Sequence, residues 1–149
     1  MMCNTVIQAF DLSKSEDVEK AIKVTAQFIP MVDLSFDPLY QTVVANSFNW
    51  DVYMLYFNHE DFHAIKFVRL QPFILNEEIC GYDMASTYGH GGWHYNSAPS
   101  ATVLEKLQIH EKRFQQNNAI VSEYSELIKM GSEPLEFLIN FENLEVKKT

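Results

Sequence analysis

Three of the five glycines, two of the five histidines and one of the two tryptophans fall in one stretch, Ser86-Thr87-Tyr88-Gly89-His90-Gly91-Gly92-Trp93-His94-Tyr95-Asn96. Glycine permits positive φ and close approach of a backbone to another group. Neighbouring aromatics supply flat walls with polar tips. In a chain otherwise poor in glycine, the combination predicts a binding surface carried on a loop. A wide turn packed over aromatics is the competing reading. His90 and His94 have the chemistry of general bases, or of hydrogen-bond donors to a substrate. Gly89-His90-Gly91 is a lone G-x-G, but no Lys or Arg adjoins it and seven residues separate Gly92 from Ser100. Phosphate binding is therefore not expected at this loop.

Other reactive residues are scattered. His59-Glu60-Asp61-Phe62-His63 spells H-E-x-x-H, whose zinc chemistry requires both imidazoles on one helix face with the glutamate as base. Here the motif lies between two strand-like runs, so a histidine pair straddling a hairpin, without metal, is the expectation. Glu123, in a strand-like run, is a candidate general base, although strand carboxylates more often face water. His110 sits on an apolar helical face and reads as a core histidine. Cys80 reads as a small core residue, with nothing basic beside it. Glu16-Asp17 and Glu77-Glu78 read as solvated faces.

Composition narrows the classes. At 149 residues, 47% hydrophobic and 13% aromatic, the chain is expected to form one domain over residues 1–149 with a proper core. A net charge of −9 repels polyanions, which argues against extended nucleic-acid binding. Apolar runs are too short to span a bilayer, and Met1 to Thr5 lacks the pattern of a signal peptide. Two cysteines, Cys3 and Cys80, make no disulfide framework, so a reducing cytoplasm is expected.

The elements that must position these residues follow from periodicity. Thr5 to Phe10 predicts a strand, and Ser13-Lys14-Ser15-Glu16 a capping box. Val18, Ala21, Ile22, Ala26 and Ile29 then recur at helical spacing until Pro30. Asp37-Pro38 starts a second helix, with Leu39, Tyr40, Val43, Val44 and Phe48 as its buried stripe and Asn46 to Asn49 as its end. Asp51 to Phe57, apolar on both faces, predicts a central strand. Ile65 to Phe73 and Glu78 to Asp83 complete an antiparallel meander, with Pro72 marking a bulge or an edge. Thr102 to Glu105 caps a third helix carrying Val103, Leu107, His110 and Phe114 on one face, closed by Asn117-Asn118. Ala119 to Tyr124 predicts a strand, Pro134 to Leu138 a helical turn, and Leu144 to Lys148 a further strand with an edge open to pairing. The order β-α-α-β-β-β-α-β describes an α+β fold with a mixed sheet.

That order, with glycines after the third meander strand and a helix next, resembles the GNAT acetyltransferases. Four segments are similar to one subgroup, the Fem-like aminoacyl- and acyltransferases, which contain two GNAT-like halves. They are Phe36-Asp37-Pro38-Leu39-Tyr40, Leu70 to Leu75 (the family's LPFIL strand), Tyr82 to Gly92 (its YD-x-x-SPYGYGG segment) and Asn117 to Tyr124 (its NNIVSEF strand). Thr87 stands where the family has proline and His90 where it has tyrosine. Ser125-Glu126-Leu127-Ile128 replaces an arginine and a His-Pro pair.

The resemblance spans roughly residues 35 to 124 and corresponds to the first half only, whereas the acyl donor in such enzymes is associated with the second. A truncated frame, a natural single half, or one chain of an assembly each account for the length. The implied activity is transfer of an acyl or aminoacyl group to an amine of a peptidoglycan-, sugar- or peptide-type acceptor. The implied donor is acyl-CoA or an aminoacyl ester, with no tightly bound cofactor. Either a homodimer or a partner chain would supply the missing half. The resemblance also predicts a cleft where the strand before the glycines splays from the Ala119 to Tyr124 strand. Asp83, Ser86, Tyr88, Gly89, Gly91, Gly92, Trp93, Ser122 and Glu123 would line it, with Glu123 and His90 as catalytic candidates. A non-catalytic binding half and a zinc hydrolase built on His59 and His63 are the alternatives.

Overall fold

Val52 to Phe57 are apolar at every position, a pattern that requires cover on both sides of a sheet. The computed structural model, which describes residues 7–31, 33–87 and 92–124, provides it. Strand β2 (Asp51–His59) lies between β1 (Ile7–Asp11) and β3 (Phe62–Leu75), and β4 (Glu78–Ser86) continues the antiparallel meander. The last strand, β6 (Ile120–Tyr124), joins β4 in parallel, giving the order β1-β2-β3-β4-β6. A two-residue strand, β5 (His94–Tyr95), pairs with β3 at Ala64 and Ile65, past the point where β4 has ended. Helices α1 (Ser15–Phe28) and α2 (Pro38–Phe48) cover one face, and α3 (Ala101–Asn117) covers the other. This is an α+β fold with a mainly antiparallel sheet flanked by helices, as the periodicity implies.

Residue alternation divides the sheet cleanly. Val52, Met54 and Tyr56 of β2 and Ile65 and Phe67 of β3 pack with Phe28, Phe36 and Trp50 on the α1/α2 side. Leu55, Phe57, Ala64, Val68 and Met84 pack with Leu107, Phe114 and Trp93 on the α3 side.

Several local expectations are corrected. Ser13 is not the α1 cap; it bonds to the Asp11 carboxylate, and Lys14 occupies the N-cap without a side-chain bond. Asp11 and Asp17 provide the local order instead, the Asp11 N–H donating to Asp17. The α1 stripe keeps Val18, Ala21 and Ile29 in the core and adds Thr25 and Phe28, but leaves Ala26 exposed. Asp37 and Pro38 do start α2, and Asn49 does end it in the left-handed conformation (φ 57°). However, α2 buries Pro38, Gln41, Val44 and Ala45 and exposes Leu39, Val43 and Phe48. The reason is that Gln41 turns inward to donate to the Ser35 carbonyl, rotating the stripe. Ser100, not Thr102, caps α3, accepting from the Val103 N–H. The left-handed residue after α3 is Ala119 (φ 57°) rather than an asparagine. Cys80 is exposed, on a β3–β4 arm that also exposes Phe73, Ile74, Leu75 and Ile79. The bulge expected at Pro72 falls between Phe73 and Ile74. The segments Pro134 to Leu138 and Leu144 to Lys148 lie outside the described residues.

Candidate functional site

The glycine segment departs from β4 and returns to the same edge of β3. Ser86 is the last β4 residue to pair, opposite Val68, and His94 resumes opposite Ile65. Lys66 lies in the interval between them. Tyr88, Gly89, His90 and Gly91 lie outside the described residues, so neither their contacts nor a role for His90 is placed. Gly92 has φ 88°, a conformation that favours glycine, and it sets the direction in which Trp93 re-enters.

Lys66 sits in the middle of β3, its side chain on the α3 face. It is 4% exposed, and its Nζ donates to Glu111 Oε2 of α3 at 2.5 Å and to Glu123 Oε2 of β6 at 2.5 Å. The remaining carboxylate oxygens are also engaged. Trp93 Nε1 donates to Glu111 Oε1 at 3.0 Å, and Gln115 Nε2 donates to Glu123 Oε1 at 2.8 Å. The Trp93 ring lies 5.7 Å from the Lys66 ammonium, within cation–π range. Burial alone would lower the Lys66 pKa, but the charges and hydrogen bonds of Glu111 and Glu123 outweigh it and hold the ammonium above its ordinary value. The nearby Tyr95 hydroxyl is raised by burial and by Glu111, with Lys66 opposing. The three side chains Lys66, Glu111 and Glu123 together carry a formal charge of −1. Glu123 is its most accessible member, 31% exposed at the side chain against 17% for Glu111.

A bulge aims Glu123 at this cluster. Tyr82 pairs with Ile120 and Asp83 with Ser122, so Val121 is the extra residue in the ladder. Without it, Glu123 would point away from the face that Ile120 helps to fill.

The predicted cleft residues are therefore separated. Ser86, Trp93 and Glu123 belong to the α3 face, whereas Asp83 and Ser122 meet on the α1/α2 face, Ser122 Oγ donating to Asp83 Oδ1 at 2.5 Å. The strands β4 and β6 are neighbours, as the resemblance implies. They are hydrogen-bonded partners over Tyr82 to Ala85, however, so the expected splay does not occur along those residues. Thr87, at the head of the glycine segment, is 3% exposed, and its hydroxyl has no hydrogen-bond partner among the described residues. His94 is occupied structurally, its Nε2 2.9 Å from the Pro30 carbonyl and its ring stacked on Phe36. His110 is half-buried on α3, its pKa lowered by burial and by Arg113 and Lys106.

The H-E-x-x-H run forms a tight hairpin turn, with Glu60 in the left-handed region (φ 54°). Asn58 pairs with His63 and His59 with Phe62, so the two imidazoles project from opposite faces of the sheet. They cannot share a metal ion, and the zinc hydrolase alternative loses its site. His63 is buried, stacked at 3.9 Å on Phe28, and its Nδ1 is 2.7 Å from the Tyr56 hydroxyl. Burial lowers the His63 pKa, with Asp61 opposing, and burial raises that of Tyr56, with the Asn58 hydrogen bond opposing. The neutral arrangement is thus Asn58 donating to Tyr56 and Tyr56 donating to His63. Asn96 clamps this hairpin, accepting from the His63 N–H and donating to the Asp61 carbonyl.

Sequence reasoning found Glu123 and Trp93 but missed Lys66, Glu111 and Gln115. A signal existed: Lys66 interrupts an apolar run, Ala64-Ile65-Lys66-Phe67-Val68, and a lysine there demands a buried carboxylate. Fold and site together define an α+β domain with a partly buried, net-anionic cluster beside a glycine-rich crossover. Comparison of the chain with protein-family models, curated proteins and solved structures finds no match in any of the three. Among the described residues, no helix is long and apolar enough to cross a membrane.

Proposed function

We propose that this chain is an N-acyltransferase domain of the GNAT and Fem-like type, corresponding to the first half of such an enzyme. It would transfer an acyl or aminoacyl group to an amine of a sugar- or peptide-type acceptor. The observation that carries the reading is the Lys66–Glu111–Glu123 cluster, placed where the glycine segment leaves and re-enters the sheet. A charge of −1 in a half-buried setting attracts an ammonium, the resting form of an amine acceptor. Glu123 is the member that an acceptor reaches: it takes one proton from the bound ammonium to free the amine, and as the amine attacks the donor carbonyl the C–S or C–O bond breaks and the amine's second proton leaves with the thiol or alcohol. Lys66 stays protonated and fixes the carboxylate. Trp93 forms a wall. The acyl donor, a thioester or an aminoacyl ester, approaches along the glycine segment. Positioning of amine against carbonyl accounts for most of the rate.

One observation favours a second reading, a binding half without catalysis. The β4–β6 ladder is closed over Tyr82 to Ala85, so no splay between those strands exposes backbone amides to the donor there. Calorimetric titration with acyl-CoA, followed by mass spectrometry of amino-sugar and peptide amines incubated with donor, separates the two. The catalytic reading expects acylated amine, and a Glu123→Gln variant slower by at least ~100-fold. Amine binding without donor binding or product would establish the binding half. Binding of neither ligand would remove both readings.

A further inference from the structure

A recess lies between α3 and β1, the strand that ends the sheet among the described residues. It encloses about 350 Å3 between β1 and the C-terminal half of α3. Ile7, Ala9 and Phe114 form its apolar part, and His110, Arg113 and Asn117 its polar part. Asn118 also lines it, but its amide is committed to the Phe114 carbonyl.

Two features give the recess a specific chemistry. The first is a strand edge that no other strand covers among the described residues, since β1 is terminal in their sheet. The Leu12 N–H donates to Val52 of β2, whereas the Asp11 N–H turns away from β2 to the Asp17 carboxylate. Alternation along an antiparallel strand then directs the backbone N–H and C=O of Ile7 and Ala9 outward. The second is uncompensated positive charge. Among the described residues no carboxylate pairs with Arg113 and none lines the recess, in a chain whose net charge is −9. The influence of Arg113 and Lys106 on His110 places both cations close by.

We propose that this recess binds an amide next to a carboxylate, the chemistry shared by N-acyl amino acids and the C-terminal residue of a peptide. The ligand amide N–H donates to the Ala9 C=O as a short added strand, and the carboxylate meets the Arg113 guanidinium fork. Asn117 hydrogen-bonds the outer carboxylate oxygen, and apolar side chains of the ligand rest on Ile7 and Phe114. This site is independent of the Lys66 cluster and of the acyltransfer reading.

The test titrates 15N-labelled protein with N-acetyl-alanine, N-acetyl-tetra-alanine and the C-terminal amide of the tetrapeptide. Shifts centred on Ala9, Arg113 and Asn117 are expected with both acids. Arg113→Gln should weaken binding at least ~10-fold, the loss of one charge-assisted bond. Arg113 is exposed, so the variant keeps the fold, which its thermal melt verifies. Binding of both acids assigns the site to the terminal residue alone, and binding of the tetrapeptide acid only assigns it to a peptide strand; either supports the proposal. Equal affinity for the amide, unchanged binding by Arg113→Gln, shifts confined to another surface, or no shifts at all would overturn it.

Discussion

His63 and Lys66 are three residues apart on β3, both nearly fully buried, and they face opposite sides of the sheet. On the α1/α2 side, His63 is kept neutral: a phenol, an aromatic stack and a backbone clamp satisfy it without charge. On the α3 side, Lys66 is kept charged by two carboxylates, each further held by a neutral donor. The difference shows two solutions to the cost of burying a titratable group. The neutral solution couples the fold to mild acid. The ionic one couples it to the integrity of every partner, and leaves a residual negative charge at a place a ligand can reach.

The severest way to break this contrast is Lys66→Met. It leaves Glu111 and Glu123 facing each other with no cation between them. Removing one partner of a buried ionic group costs about 3–5 kcal/mol, and the partial exposure of Glu123 favours the lower end. Urea denaturation should show this loss, and the triple variant Lys66→Met/Glu111→Gln/Glu123→Gln should recover most of it. A single variant within ~1 kcal/mol of wild type would show that the cluster is not a structural ion pair.

Gly81→Val attacks the same face indirectly. A Cβ at Gly81 would lie 2.7 Å from Val121 Cγ1 and 2.8 Å from the Ala119 carbonyl oxygen, so β6 must move. Overpacking of this kind costs about 1–3 kcal/mol. Amide exchange should accelerate in β6 and leave β1 and β2 unaffected. Wild-type exchange in β6 would mean that the bulge does not depend on the absence of a side chain there.

The neutral face is read through pH. The His63 pKa is lowered, so below its ordinary value of 6.5 the unfolded chain takes up a proton that the folded chain refuses. Stability is therefore complete above about pH 6.5 and declines as pH falls toward the lowered folded value. His63→Gln should cost roughly 1 kcal/mol at pH 7.5 and flatten the decline. A residual slope remains from His110, which is lowered in the same direction. An unaltered slope in His63→Gln would assign the acid sensitivity to other groups.

Smallest of all is Ser122→Ala, which removes a partly exposed bond to Asp83. A loss of at most about 1 kcal/mol is expected, with no change in the proposed acyl transfer, because this pair lies across the sheet from Glu123. A large loss of activity would place chemistry on the α1/α2 face instead.

Much of this architecture was legible in the chain. Apolar runs on both faces located β2, Asp37-Pro38 located the start of α2, and strand character on both sides of His59 to His63 located the hairpin. Local competition hid the rest. Asp11 captured Ser13, Gln41 turned α2 about its axis, and Ser100 capped α3 two residues early, because each side chain found a partner that periodicity does not reveal.

The sequence by itself determined the α+β class, the order of elements and the position of the glycine-rich crossover. These depend on spacing within a strand or helix, and neighbouring residues carry that information. Only the tertiary structure decided which candidates meet. Lys66 finds Glu111 forty-five residues away and Glu123 fifty-seven residues away, and Glu123 faces them only because Val121 bulges from β6. A one-residue change of register reverses every side chain that follows it, so the bulge at Val121, not composition, decided that Glu123 rather than its strand neighbour Ser122 joins the cluster.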